Sequence, residues 1–165
     1  MNSNACLSTP SSSYLSPANC IKFAPKLDAI LLQGHSDGFL SLYDSRVEEV
    51  VLSTSLYDSV CSVDWFNSNT FVCSDNSGAV SCFDIRSMHE PTAAVFLHDG
   101  YSKVFKFGSH SIGSMGRDSN LVLSNSSLTS EFSNSFESMD CFGDCTASGN
   151  SIFVSFLDVC NCLEI

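Results

Sequence analysis

The sequence predicts an all-β chain assembled from repeated antiparallel units. The first observation is a hairpin. In the stretch Phe71-Val72-Cys73-Ser74-Asp75-Asn76-Ser77-Gly78-Ala79-Val80-Ser81-Cys82-Phe83-Asp84-Ile85-Arg86, an apolar run meets a polar turn and an alternating strand follows. Gly78 supplies the positive φ that a tight hairpin turn needs. The second observation is recurrence: Ser36-Asp37-Gly38 leads to Tyr43-Asp44, so the glycine and the aromatic-Asp pair both return after 40 residues. The third is periodicity. Apolar residues recur at two and not at three and four, which is the pattern of strands.

Residues 1–16 are rich in Ser, Asn and Pro and read as a flexible arm. Ala5-Cys6-Leu7 and Tyr14-Leu15 are its only apolar points and its only room for a short strand. The first unit, 17–55, opens with Cys20-Ile21-Lys22-Phe23 and closes with an outer strand from Val47 to Leu52 that carries Glu48 and Glu49. The second, 56–97, opens with Val60 to Trp65 and closes with Thr92 to Leu97, after a turn at Pro91. The third, 98–134, opens with Val104-Phe105-Lys106-Phe107, turns at Arg117-Asp118-Ser119 and continues through Leu121 to Asn125. Its Ser-rich stretch from Ser124 to Ser135 reads as a long loop and a poor strand. The fourth, 135–165, holds Met139 to Phe142, a turn at Leu157-Asp158 and a strand through Cys160 and Cys162, with no outer strand. Phe23, Trp65 and Phe107 stand 42 residues apart in turn. That spacing predicts Trp65 and Phe107 as buried aromatics on the innermost strands, filling the space between neighbouring units.

Composition narrows the function. The chain has 165 residues, 44% of them hydrophobic, enough for a core. Its net charge is −11, from 7 Lys and Arg against 18 Asp and Glu. Such a surface repels phosphate backbones, which argues against direct nucleic-acid binding, and it favours basic partner surfaces. No run approaches the roughly 18 apolar residues of a membrane span, and no signal peptide is visible. Nine Cys are an odd count for a fully paired secreted framework. Reduced thiols and a cytoplasmic or nuclear location are expected.

A period near 40 with several short strands per unit is a propeller pattern. Phe23-Ala24-Pro25, Tyr43-Asp44-Ser45-Arg46, Val60 to Trp65 and Phe83-Asp84-Ile85-Arg86 resemble the WD-repeat β-propeller family. The two Asp-x-Arg segments look like its Trp-Asp-x-Arg ending with another aromatic in place of Trp. Asp37-Gly38, Glu48-Glu49 and Val60 to Trp65 also resemble the WD repeat-containing protein 89 group. The likeness is good in the first two units and poor in the last two, where no aromatic-Asp pair survives. It implies a partial WD-repeat-like propeller of three to four antiparallel blades, forming an open arc, because a ring in that family has about seven blades. Completion by a second copy or another chain is then expected. The implied function is a non-catalytic scaffold for partner proteins, without cofactor or metal. Hairpin turns and the loops before the inner strands would share one face. They place Tyr57, Asp58, His98, Asp99, Tyr101, Arg117 and Asp118 as partner-binding residues, with Tyr57, Tyr101 and Arg117 as anchors.

Other residue patterns offer competing chemistry. Gly34-His35-Ser36-Asp37-Gly38 matches the nucleophile-elbow pattern, which needs a following helix. The alternating Phe39-Leu40-Ser41-Leu42-Tyr43 follows instead, so a hairpin turn is expected. A hydrolase reading would pair Ser36 with a nearby His, His98 first. The resemblance implies that His98 bonds inside its blade to a turn Asp. Cys141, Cys145, Cys160 and Cys162 offer a zinc alternative, against small core residues as the plain reading. Gly113-Ser114-Met115-Gly116 precedes no helix and makes no phosphate loop.

Overall fold

The computed structural model describes residues 16–136, 142–156 and 160–164. The expected arm strand, Met139 to Cys141 and the Leu157-Asp158 turn lie outside these. The described residues form fifteen strands and no helix. The first sheet holds β1 (Ala18–Ala24), β2 (Leu27–His35), β3 (Phe39–Asp44) and β4 (Glu49–Ser55), paired in that order. The second holds β5 (Val60–Trp65), β6 (Thr70–Asp75), β7 (Ala79–Asp84) and β8 (Ala93–Phe96). The third holds β9 (Ser102–Phe107), β10 (Ser111–Gly116), β11 (Asn120–Ser124) and β12 (Ser130–Ser135). The fourth has β13 (Phe142–Ser148), β14 (Ser151–Phe156) and β15 (Cys160–Glu164). Every pairing is antiparallel between chain neighbours, so each sheet is a meander. The innermost strands lie side by side, β1 on β5, β5 on β9 and β9 on β13. The sheets are blades of a propeller arc. Among the described residues, the first and fourth do not pack on each other as consecutive blades do.

The hairpin turns explain the repeat. Gly38 and Gly78 both have φ of 87°, and Ser119 takes the same place in the third blade at 61°. A turn carboxylate helps each one. Asp37 Oδ1 accepts from Phe39 N, Asp75 Oδ1 from Ser77 N, and Asp118 Oδ1 from Asn120 N. The aromatic-Asp-x-Arg endings are a second device. Asp44 Oδ1 accepts from Arg46 N and Nε, both at 2.9 Å, and Asp84 repeats this with Arg86 at the same distances. The arginine side-chain hydrogen bonds hold both carboxylates down at about 2.

The core is three apolar clusters, one in each gap between blades. Leu32, Leu40, Leu42, Val63, Trp65, Phe71, Phe83 and Met88 fill the first gap. Val72, Val80, Cys82, Val104 and Ile112 fill the second, and Phe105, Met115, Leu121, Cys145 and Ile152 the third. Strict alternation achieves this. Phe71 and Cys73 face the first blade while Val72 between them faces the third.

Two expectations need correction, and one repeat position behaves differently from its counterparts. Phe107 is half-buried and faces the fourth blade, whereas buried Trp65 faces the first. Trp65 pairs with Phe71, and the matching rung of the third blade pairs Lys106 with Ile112. The true counterpart of Phe107 is therefore Phe66, which packs toward the third blade. A slip of one residue reverses the face. Phe23 does occupy the Trp65 place, but it is 65% exposed because no described sheet precedes its blade. The Ser-rich stretch is more regular than expected. Asn125 Oδ1 caps a tight turn through Ser127 N and Thr129 N, buried Leu128 anchors it, and β12 pairs along β11.

Candidate functional site

In a meander the turn between the second and third strands returns to the end from which the outer strand leaves. Hydrogen bonds join the two. Leu56 N donates to Gly38 O, Asn76 N to Ser59 O, Leu97 N to Gly78 O, and Arg117 N to Tyr101 O. The expected turn and loop residues are thus gathered at one end of the arc on a backbone-bonded rim.

Their side chains divide into two sets. Tyr57 is 93% exposed, and Asp99 and Arg117 also project into solvent. Asp58 is half-buried, with Oδ1 accepting from Ser59 N at 2.6 Å. Tyr101 is half-buried on the inner wall, and burial raises its phenol above the ordinary range. His98 and Asp118 turn inward. His98 Nδ1 donates to Asp118 Oδ1 at 3.2 Å, and Ser114 Oγ, at 2.9 Å, donates to Nε2. Asp118 also accepts from Asp99 N, Asn120 N and Asn120 Nδ2. Because an ionised carboxylate only accepts, this network fixes the imidazole tautomer.

Ser114, His98 and Asp118 have the connectivity of a nucleophile, base and orienting acid. Their burial decides the role. Ser114 and the His98 side chain are 0% exposed, so no substrate reaches the Ser114 hydroxyl. The chain ties the loop 97–101 to β10 and to the next turn. Burial lowers the His98 pKa below 6.5, against the pull of Asp118. The unfolded chain takes up a proton near 6.5 that the folded imidazole resists. This contribution is full above that pH and is lost as pH falls below it. Urea melts between about pH 7 and about pH 5 should show stability falling on the acid side, with the fall reduced in His98→Gln. An unchanged slope in that variant would remove His98 from the account.

The other candidates separate. Ser36 shares a 2.7 Å hydrogen bond with the Ser16 hydroxyl, while His98, the partner first expected for it, is committed within the third blade. The Gly-x-Ser-x-Gly pattern is a strand-to-strand hairpin between β2 and β3. Gly113-Ser114-Met115-Gly116 lies in β10. For zinc, Cys141 lies outside the described residues. Cys145 pairs with Val154 in the third gap, while Cys162 pairs with Phe153 on the opposite sheet face. Those two thiols do not converge. Burial pushes Cys20 and Cys61 up to about 11 and Cys82 to about 12, so they remain neutral thiols.

Two features escaped the sequence reading. One is the inner wall, where a cavity of about 440 Å³ is lined by the four innermost strands. Asp64 latches three of them: Lys22 Nζ lies 3.6 Å from Oδ1, and Lys106 N donates to Oδ2 at 2.9 Å. Asn19 Nδ2 donates to Val60 O, Trp65 Nε1 to Lys22 O and Ser62 Oγ to Val104 O. Lys103 Nζ reaches Asp144 Oδ1 at 2.9 Å. The signal was the 42-residue spacing of Lys22, Asp64 and Lys106 beside the aromatic series. The other feature is a groove between the first two blades, about 270 Å³ in volume.

The repeated meanders, side-by-side inner strands and gap-filling clusters define a partial WD40-type β-propeller. No protein-family model matches the chain, and no curated protein matches its sequence. Among solved structures it is similar to the WD40 domain of Toxoplasma gondii coronin, with a TM-score of 0.80 at 15% identity. The match covers 91% of this chain and 43% of that one, so the chain spans less than half of the solved structure. At this identity the likeness is one of fold. The narrower resemblance to the WD repeat-containing protein 89 group gains no support from it.

Proposed function

We propose that this chain is a non-catalytic scaffold whose loop end engages partner proteins with basic surfaces, and whose arc is completed by another copy or another chain. The observation that carries the scaffold reading is the division at the loop end. The backbone rim is bonded blade to blade, while Tyr57, Asp99 and Arg117 project from it. Rigid support with exposed aromatic and arginine side chains suits recognition. The acidic balance of the chain favours basic partners. Completion is supported by exposed apolar side chains on the outward faces, Ile21 and Phe23 on the first blade and Phe153 on the fourth.

A photo-crosslinking residue placed at Tyr57, Asp99 or Arg117 should capture partner proteins in cells. The same group at Lys26, in the β1–β2 turn at the opposite end, should capture few. Equal capture at Lys26 would reject the loop end as the contact face. For completion, sedimentation at micromolar concentration should show self-association or co-sedimentation with the captured partner. A compact, monodisperse monomer in both settings would reject it.

A further inference from the structure

The groove between the first two blades has a cause in the sequence. The inner part of that gap is filled by Trp65, Phe71, Phe83 and Met88. Further out, the small side chains of Ala79, Ser81 and Ala94 on β7 and β8 leave space. Ala79 pairs with Phe96 and Ser81 with Ala94. The facing part of β4 offers only Thr54 and Ser55, so the outer gap stays open. Leu56, Tyr57, Pro91, Val95 and Phe96 line it. Tyr57 and Phe96 are 93% and 72% exposed, the highest values among the large hydrophobic side chains described as exposed.

The volume of about 270 Å³ is below the roughly 300–1,000 Å³ of small-molecule pockets and suits one or two anchoring side chains. The charge around it is one-sided. Asp75 and His89 line the groove with no Lys or Arg, and Asp58 and Glu90 adjoin its walls in a chain of net charge −11. Exposed aromatic faces beside carboxylates attract Lys and Arg.

From this arrangement we infer that the groove between the first and second blades docks an extended peptide segment of a partner protein, with an apolar anchor flanked by Lys or Arg. The anchor fills the space left by Ala79, Ser81 and Ala94. The flanking cations lie on Tyr57 and Phe96 and beside Asp58 and Glu90. This rests on the scaffold reading and names its partner chemistry.

The test is a selection of short random peptides on the purified chain, followed by fluorescence anisotropy with the enriched peptides. Enriched sequences should carry Lys or Arg beside an apolar residue. Tyr57→Ser and Phe96→Ser, at side chains 93% and 72% exposed, should each weaken binding about 10-fold or more. Added salt should weaken it further, whereas Lys26→Asn, in the β1–β2 turn at the opposite end, should leave it unchanged. Trp65 fluorescence melts confirm that the variants fold. Enrichment of acidic or uncharged peptides, binding by the Tyr57 and Phe96 variants as tight as by the unaltered chain, or no enrichment at all would overturn the proposal. Loss through Arg117→Ala with no effect of Phe96→Ser would reject the groove and leave the loop-end scaffold standing.

Discussion

Replacing Phe71 by Ala should destabilise the chain by about 3–5 kcal/mol. Phe71 is 0% exposed at the middle of the first gap. Its ring stacks on Phe83 with centroids 5.4 Å apart and planes 14° apart, and it meets Trp65 edge-on at 5.7 Å. Truncation removes both ring contacts and leaves a cavity that the paired strands β5, β6 and β7 cannot close without losing register. Trp65 is the only tryptophan and touches the altered site, so its emission should shift to the red in the native baseline. Denaturant melts followed by circular dichroism give the energy. A loss below about 1 kcal/mol, ordinary for a surface change, would show that the three rings do not form one packed unit.

Gly78→Ala should be comparably damaging for a different reason. Gly78 has φ of 87°, a conformation that costs a side chain about 1–2 kcal/mol. An added Cβ would also lie 1.9 Å from His98 O and 3.0 Å from Gly100 N. Those are backbone atoms, and Leu97 N and His98 N both donate to Gly78 O. The turn cannot retreat without breaking the tie between the second and third blades. Gly108 is the control, since it has φ of 60° and nothing within 4 Å of an added Cβ. Gly108→Ala should show only the backbone cost. Equal melting midpoints for the two variants would reject the close approach as the cause.

The parts legible in the sequence are those fixed by neighbours along the chain. Gly38 and Gly78 mark hairpins because a tight turn demands their conformation. The Asp-x-Arg endings repeat because one carboxylate can accept from the backbone and side chain two residues on. Other parts depend on residues far away. Even spacing sets Phe107 beside Trp65, yet strand pairing makes Phe66 the counterpart of Phe107. Phe23 kept its place in the repeat and lost its burial, since burial needs a neighbouring sheet. Within the candidate site, the resemblance led to His98 as an in-blade residue, while the exposure of Tyr57 and Arg117 follows from where the hairpin and loop meet. The groove was invisible. Ala79, Ser81 and Ala94 read as ordinary strand residues, and only the blade opposite them reveals the missing volume.

The three separate clusters make this a quasi-one-dimensional solid. Each blade owes its order to the gaps it shares, two for the second and third blades and one for the first and fourth in the described arc. Cohesion is then a nearest-neighbour sum, and loosening travels as fraying does, inward from the ends. The second blade, with Phe71 and Val72 wedged into opposite gaps, is one of the two middle members of the row. A partner that grips its outer flank would hold one of the two blades that melt last.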